Sequence, residues 1–324
     1  MKAFVTGGTG FIGSHLVDHL IESGAFSEVR CLVRSNERWL AGKKYTKVSG
    51  DISDLTALQE GMKGVDVVYH LAAIVKAKSL SQFQTINVDA TENVIRTAQK
   101  NGITNIIVLS SLAAAGPSNG TPVEEDKEMT PVSMYGESKK RMEAMIHQAA
   151  QASDSIKIIR PPAVYGPRED QIFSYFKSAS RGISLVIGDG KHPKISMLYV
   201  TDLIQGILRA TQFNKQGVHT FFISGMRDYN WNEIRETTSK VLGKRTIPLH
   251  IKPGIVKKVA GMVEGTASLF GKYPVLNKEK ANELVLEWTC SHRKAEQVLN
   301  YKPSHTLIEG ISKTINWYKL NKWL

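Results

Sequence analysis

A short apolar run, KAFVT (Lys2–Thr6), meets the turn TGGTGFIG, and an amphipathic stretch, FIGSHLVDHLIESG, follows at once. Glycines stand at Gly7, Gly10 and Gly13. Glycine loses more conformational freedom on folding than any other residue, so three of them between a strand and a helix need a reason. In a strand that turns sharply into a helix, the first glycine permits the turn. The second lets the main chain approach a pyrophosphate, and the third lets the helix close on the sheet. The helix N-terminus then presents unpaired N–H groups and a partial positive charge to the phosphates. Phe11 and Ile12 lie in the same turn and count with the glycines as dinucleotide contacts. The strand before and the helix after set this pattern apart from a chance glycine match.

The strand–helix rhythm continues. EVRCLVR, YTKVSGDI, DVVYHLAA, NIIVLSSLAA and IKIIRPPAVYG read as strands, with helical patterns between them, including one from about Ser81 to Asn101 and one over SMYGESKKRMEAMIHQAAQAS. Apolar strands alternating with helices predict an α/β fold of Rossmann type, a doubly wound parallel sheet covered on both faces. After Gly166 the order is less regular. The predicted division is a dinucleotide-binding domain over 1–166 and a smaller, mixed substrate lobe over 167–324. The chain returns to the first domain around 195–225, where ISMLYVTDLI reads as strand then helix.

The chain of 324 residues carries 42 Lys and Arg against 30 Asp and Glu, a formal charge of +12. The basic residues are dispersed, the largest clusters being pairs or triplets such as Lys139-Lys140-Arg141. No recognition module accompanies them, so no nucleic-acid partner is expected. Cys31 and Cys290 have no metal-ligand spacing and read as free thiols of a reducing compartment. No apolar run spans a bilayer and no secretory leader is expected, which together predict a cytoplasmic protein. Ile255, Val256, Val259, Met262, Val263, Leu269 and Phe270 form one helical stripe beside Lys257 and Lys258. Such a helix packs on its own protein or, less commonly, lies on a membrane surface.

Tyr135 and Lys139, in MYGESKK, stand at i and i+4 and so share a helix face. A nearby ammonium and a cationic nicotinamide favour the phenolate, so Tyr135 can act as a general acid or base near neutral pH. Ser110 and Ser111 end the preceding strand. At the end of the second strand an acidic residue would bond the adenosine ribose and select NAD. Arg34 stands there instead, with Arg38 close behind. A guanidinium pairs with a 2′-phosphate through its planar fork, so NADP is the expected cofactor. NAD remains acceptable if Arg34 only stacks on the adenine.

The motifs together resemble the extended short-chain dehydrogenase/reductases, the epimerase/dehydratase family, along nearly the whole chain. Besides the glycine turn, spaced as TGxxGxxG, and YxxxK, the matching segments are HLAA (His70–Ala73), INVDATENV (Ile86–Val94), RPPAVYGP (Arg160–Pro167), YVTDLI (Tyr199–Ile204) and KAEQVLNYKP (Lys294–Pro303). The resemblance implies that Ser111, rather than Ser110, bonds the substrate oxygen. Tyr135 exchanges a proton with that oxygen, and Lys139 holds the nicotinamide ribose and biases Tyr135. It places Asp51 and Ile52 at the adenine, Leu71, Ala72 and Ala73 under the nicotinamide ribose, and Pro161 and Val164 beside the nicotinamide. No metal is implied.

Two departures bear on the substrate. Ala163 stands where many nucleotide-sugar enzymes carry asparagine, and LEWTCSHRKA replaces the usual RPGD-like segment. These favour the 3β-hydroxysteroid dehydrogenase and dihydroflavonol reductase branch, acting on a ketone, aldehyde or secondary alcohol of an apolar small molecule. The alternatives are a nucleotide-sugar epimerase or dehydratase with retained cofactor, and an NADP-binding regulator without turnover. A homodimer is expected through the two long helices, with Met142, Met145 and Ile146 as a seam.

Overall fold

A computed structural model describes residues 1–251, 254 and 278–324. The stripe from Ile255 to Phe270 lies outside them. Among the described residues the main sheet has seven parallel strands: β1 (Lys2–Thr6), β2 (Glu28–Val33), β3 (Thr46–Ser49), β4 (Val67–His70), β5 (Asn105–Leu109), β6 (Ser155–Arg160) and, later in the chain, Gly217–Phe222. Their order runs β3-β2-β1-β4-β5-β6 and then Gly217–Phe222. The order reverses direction between β1 and β4, the place where a doubly wound sheet opens a crevice for a ligand.

Both faces are covered. Leu16, Val17 and Leu20 of helix α1 (Phe11–Glu22) join Leu203 and Ile207 on one side. On the other, α2 (Leu55–Met62) and the long helices Leu80–Lys100 and Met134–Ala149 contribute Leu58, Val94, Ile95, Met142 and Ile146. Each fully buried side chain of this kind contributes about 1.5–3 kcal/mol. Met142 and Ile146 are therefore spent on the monomer's own core, which corrects their reading as a dimer seam.

The run IKIIRPPAVYG is two strands, not one. Pro161 and Pro162 have no N–H for a ladder, so β6 stops at Arg160 and β7 (Ala163–Tyr165) starts a second sheet. β7 pairs with β9 (Ile195–Tyr199), and β9 with Asp228–Tyr229. Val200–Thr211 packs on the seven-stranded sheet and Gly217–Phe222 joins it beside β6, while β9 pairs with β7. A two-stranded ladder joins β8 (Ile183–Ile187) to Ile247–Ile251. The C-terminal helix Leu307–Leu320 ties the lobe together through Ile311, Ile315 and Tyr318, packed on Tyr165, Phe176 and Tyr199. Its Trp317 and the following Trp323 reach Trp39, after β2, at ring-centre distances of 5.5 and 6.4 Å.

Candidate active site

The glycine turn is built as its spacing requires. Gly7 has φ +77°, and a Cβ there would lie 2.6 Å from the Ala72 nitrogen. The turn thus presses on the strand end after β4. A Cβ on Gly13 would strike the Gly7 carbonyl, so this glycine seats α1 on the turn. A Cβ on Gly10 would meet only the Gly7 oxygen, at 3.3 Å, leaving room above it. Gly10 caps α1 with no side-chain hydrogen bond, so the first N–H groups of the helix are offered outward. Phe11 and Ile12 are part-exposed in the first turn, and Leu71, Ala72 and Ala73 border the crevice half-buried. Ile52 is buried, and Asp51 stands beside it, bonded to Ser53. Arg34 is 80% exposed, 3.8 Å from Asp51. A backbone cradle with helix N–H groups, open above Gly10 and flanked by Asp51 and Arg34, fits a dinucleotide.

The catalytic candidates converge at the next strand ends. β5 ends at Leu109, earlier than NIIVLSSLAA suggests, because Ser111 turns the chain into the short helix Leu112–Ala115. Its Oγ caps that helix by accepting from Ala113 N–H at 3.1 Å. Gly136 then lets the helix Met134–Ala149 approach, since a Cβ there would strike the Ala113 carbonyl. That approach brings Tyr135 beside Ser111, whose side chain acts to lower the phenol's pKa. Pro161 is buried beneath, its carbonyl accepting from Leu112 N–H at 2.9 Å, and Val164 borders the site on β7.

Lys139 lies on the same helix face as Tyr135 and is buried. Its ammonium donates to the Leu109 carbonyl at 2.8 Å, and burial brings its pKa down to about 8, against the pull of Glu143. Tyr135 is not poised as a phenolate here. Burial pushes it up to about 12, the Ser111 hydroxyl opposes the rise, and the Glu283 carboxylate adds to it. Burial dominates there, because removing the phenolate from water costs more than the Ser111 hydroxyl returns.

A family model, that of the NAD dependent epimerase/dehydratase family, matches residues 3–225. The chain belongs to this family. It is 30% identical to a ceramide reductase of Caulobacter vibrioides over 99% of this chain and 95% of that protein. It is 28% identical to a UDP-glucose 4-epimerase of Vibrio cholerae over 96% of this chain and 93% of that one. MoeE5, solved in complex with UDP-glucose and NAD, superposes with a TM-score of 0.79 at 25% identity, over 99% of this chain and 100% of that chain.

Around this site the structure adds Glu143, which no motif pointed to, and supplies the partners of motif residues whose contacts the sequence did not show. Glu143 and Arg160 form an ion pair of 2.5 Å with side chains only 2% and 4% exposed. Glu143 also accepts from Ser110 Oγ at 2.5 Å, which occupies that serine and leaves Ser111 to face the crevice. The signal was present: Glu143 follows Lys139 by one helical turn. Asn87 is fully buried in a widened, π-helical turn (Gln84–Asp89), where it donates to Ile74 O and Ser138 Oγ, both at 3.0 Å. Ser138 in turn donates to the Tyr135 carbonyl at 2.7 Å. His70 bridges Thr6 at 2.7 Å and Thr91 at 2.8 Å. Thr91 donates its proton to the Asn87 carbonyl, so His70 donates from Nε2 and accepts at Nδ1. Burial, with the Lys139 charge beside it, holds His70 down to about 3, a neutral ring. Among the described residues no group of His, Cys, Asp and Glu could hold a metal.

Proposed function

We propose that the chain is an NADP-dependent reductase of the short-chain type, interconverting a carbonyl and an alcohol on a largely apolar molecule. The observation that carries this is the Tyr135–Ser111 hydroxyl pair beside buried Lys139, at the strand ends next to the glycine cradle. A bound nicotinamide supplies or accepts the hydride. Ser111 Oγ donates to the substrate oxygen and fixes the reacting carbon. Tyr135, whose pKa near 12 keeps it protonated, delivers its proton to that oxygen as negative charge develops there. Lys139 has three donors, and among the described residues it gives them to the Leu109 carbonyl and the weak acceptor Met142 Sδ, so it retains a proton for the cofactor ribose. Arg34, with Arg38 exposed beside it and no carboxylate at the strand end, supports NADP.

The surroundings support an apolar substrate. The ring of buried Phe83 lies 6.2 Å from that of Tyr135, and Ala163 offers no amide for a sugar diphosphate. The likeness to a ceramide reductase points the same way. Epimerisation of a nucleotide-sugar is the second reading, favoured by the likeness to a UDP-glucose 4-epimerase. The deciding experiment supplies NADPH deuterated at the transferring position with long-chain ketones and, separately, with UDP-sugars. Net NADPH consumption with deuterium in an alcohol product is expected. Conversion of a UDP-sugar without net NADPH consumption would replace the proposal by the epimerase.

A further inference from the structure

The ladder of β8 with Ile247–Ile251 carries an apolar face that, among the described residues, is left bare at one end. Its parallel register sets Ile183 opposite Ile247, Leu185 opposite Leu249 and Ile187 opposite Ile251. Residues two apart on a strand share a face, so these six side chains form one apolar strip. The other face of β8 is spent: Ser184 and Val186 are fully buried. Along the strip the cover is uneven. Ile187 and Ile251 pack with Ala281 and Leu284 of the helix Lys278–Leu284. At the opposite end Ile183 is 46% exposed, Leu249 51% and Ile247 71%.

The segments that carry the bare end are basic. Residues 177–188 and 240–251, which include both strands, contain Lys177, Arg181, Lys240, Lys244 and Arg245 and no Asp or Glu. Lys244 is held at the strip's edge, its ammonium donating to the Ser180 carbonyl at 3.1 Å. Ile247 N–H donates to the Gly182 carbonyl at 2.8 Å, which fixes the apolar tip between Arg181 and Lys244. The nearest neighbouring acid along α9 (Trp231–Leu242), Glu236, is engaged by Arg235 at 3.1 Å. Exposed isoleucine and leucine on segments rich in lysine and arginine are complementary to a surface with acyl chains beneath anionic headgroups.

The strip also leads to the catalytic residues. The helix that covers its far end sends Glu279 to accept from Met134 N–H at 3.0 Å, next to Tyr135. The covered end of the strip thus lies against the helix that reaches Met134, with the bare end at the far side of the ladder.

We propose that this strip is a docking surface for an anionic lipid bilayer. The inference stands on exposure and charge and does not require the reductase reading. Together the two place an apolar substrate in the bilayer from which it is drawn.

The test is flotation of the full chain with vesicles of pure phosphatidylcholine and of phosphatidylcholine with phosphatidylglycerol. Each basic residue near an anionic surface raises partitioning about fivefold. The expected result is binding to the anionic vesicles only, weakened by salt, and reduced about 25-fold or more in K244E/R245E. I247S/L249S is expected to lose binding at any salt concentration. NADPH affinity, measured alongside, confirms that each variant is folded. Absence of binding to anionic vesicles overturns the proposal, as does binding that both variants retain. So does a dimer that I247S/L249S converts to monomer, since the strip would then be covered by a second copy. Reduction of a short, water-soluble ketone tests the reductase separately, so the two readings can fail independently.

Discussion

At Tyr135 two opposing effects meet, and their balance sets the chemistry. Burial raises the phenol and the Ser111 hydroxyl lowers it, leaving an acid rather than a base. Tyr135→Phe is expected to lower kcat about 10²- to 10⁴-fold with NADPH affinity unchanged. Steady-state rates and a cofactor titration on the same preparation check this, and unchanged turnover would remove Tyr135 from the chemistry. Glu143 and Arg160 invite the opposite kind of variant. Their pair is buried, so removing one partner strands a charge. Arg160→Met is expected to cost about 3–5 kcal/mol in urea denaturation. A double replacement of both by apolar residues of similar volume should recover most of that, because desolvation of the pair is then no longer needed.

At the scale of elements, the turn from strand to helix decides what was legible. The glycine turn, the strands of the first half and the Tyr135–Lys139 face could be read directly, since each follows from local geometry. The division of IKIIRPPAVYG between two sheets was also written locally, in two prolines, but showing where β7 goes takes β9, some thirty residues later. The role of Gly136 is harder still: its missing Cβ matters only because Ala113 packs there. Asn87 and His70 are similar, as their partners Ser138, Thr6 and Thr91 are distant in sequence. The end of β2 gives an element-level prediction. Charge-assisted hydrogen bonds contribute about 1.5–3 kcal/mol. Arg34→Asp is therefore expected to raise the KM for NADPH about 10- to 100-fold while improving NADH. Equal effects on both would mean that Arg34 reads no phosphate.

For the molecule as a whole, two histidines join its parts while neutral. His70 lies between β4 and the helix over Leu80–Lys100, held down to about 3 by burial. His15 on α1 bonds the Pro167 carbonyl of the second lobe at 2.9 Å, and burial holds it down to about 4. In the unfolded chain both titrate near 6.5, so the unfolded state binds protons first as pH falls. Their contribution is complete above pH 6.5 and is lost between 6.5 and about 3. Each is expected to remove on the order of 3 kcal/mol by pH 4. Urea midpoints measured from pH 7 to pH 4 check this, and His15→Gln should flatten the curve.

The contact of Trp39 with Trp317 and Trp323 gives the protein an optical handle. Trp39 sits directly after Arg38, beside the guanidinium of Arg168 at 5.6 Å. A nucleotide settling against Arg34 and Arg38 perturbs an indole that is coupled to the far end of the chain. Intrinsic fluorescence should therefore report occupancy of the adenosine half without any label. The signal should vanish in Trp39→Phe while binding, followed by NADPH emission, persists. The chain would then announce its cofactor before any substrate is known.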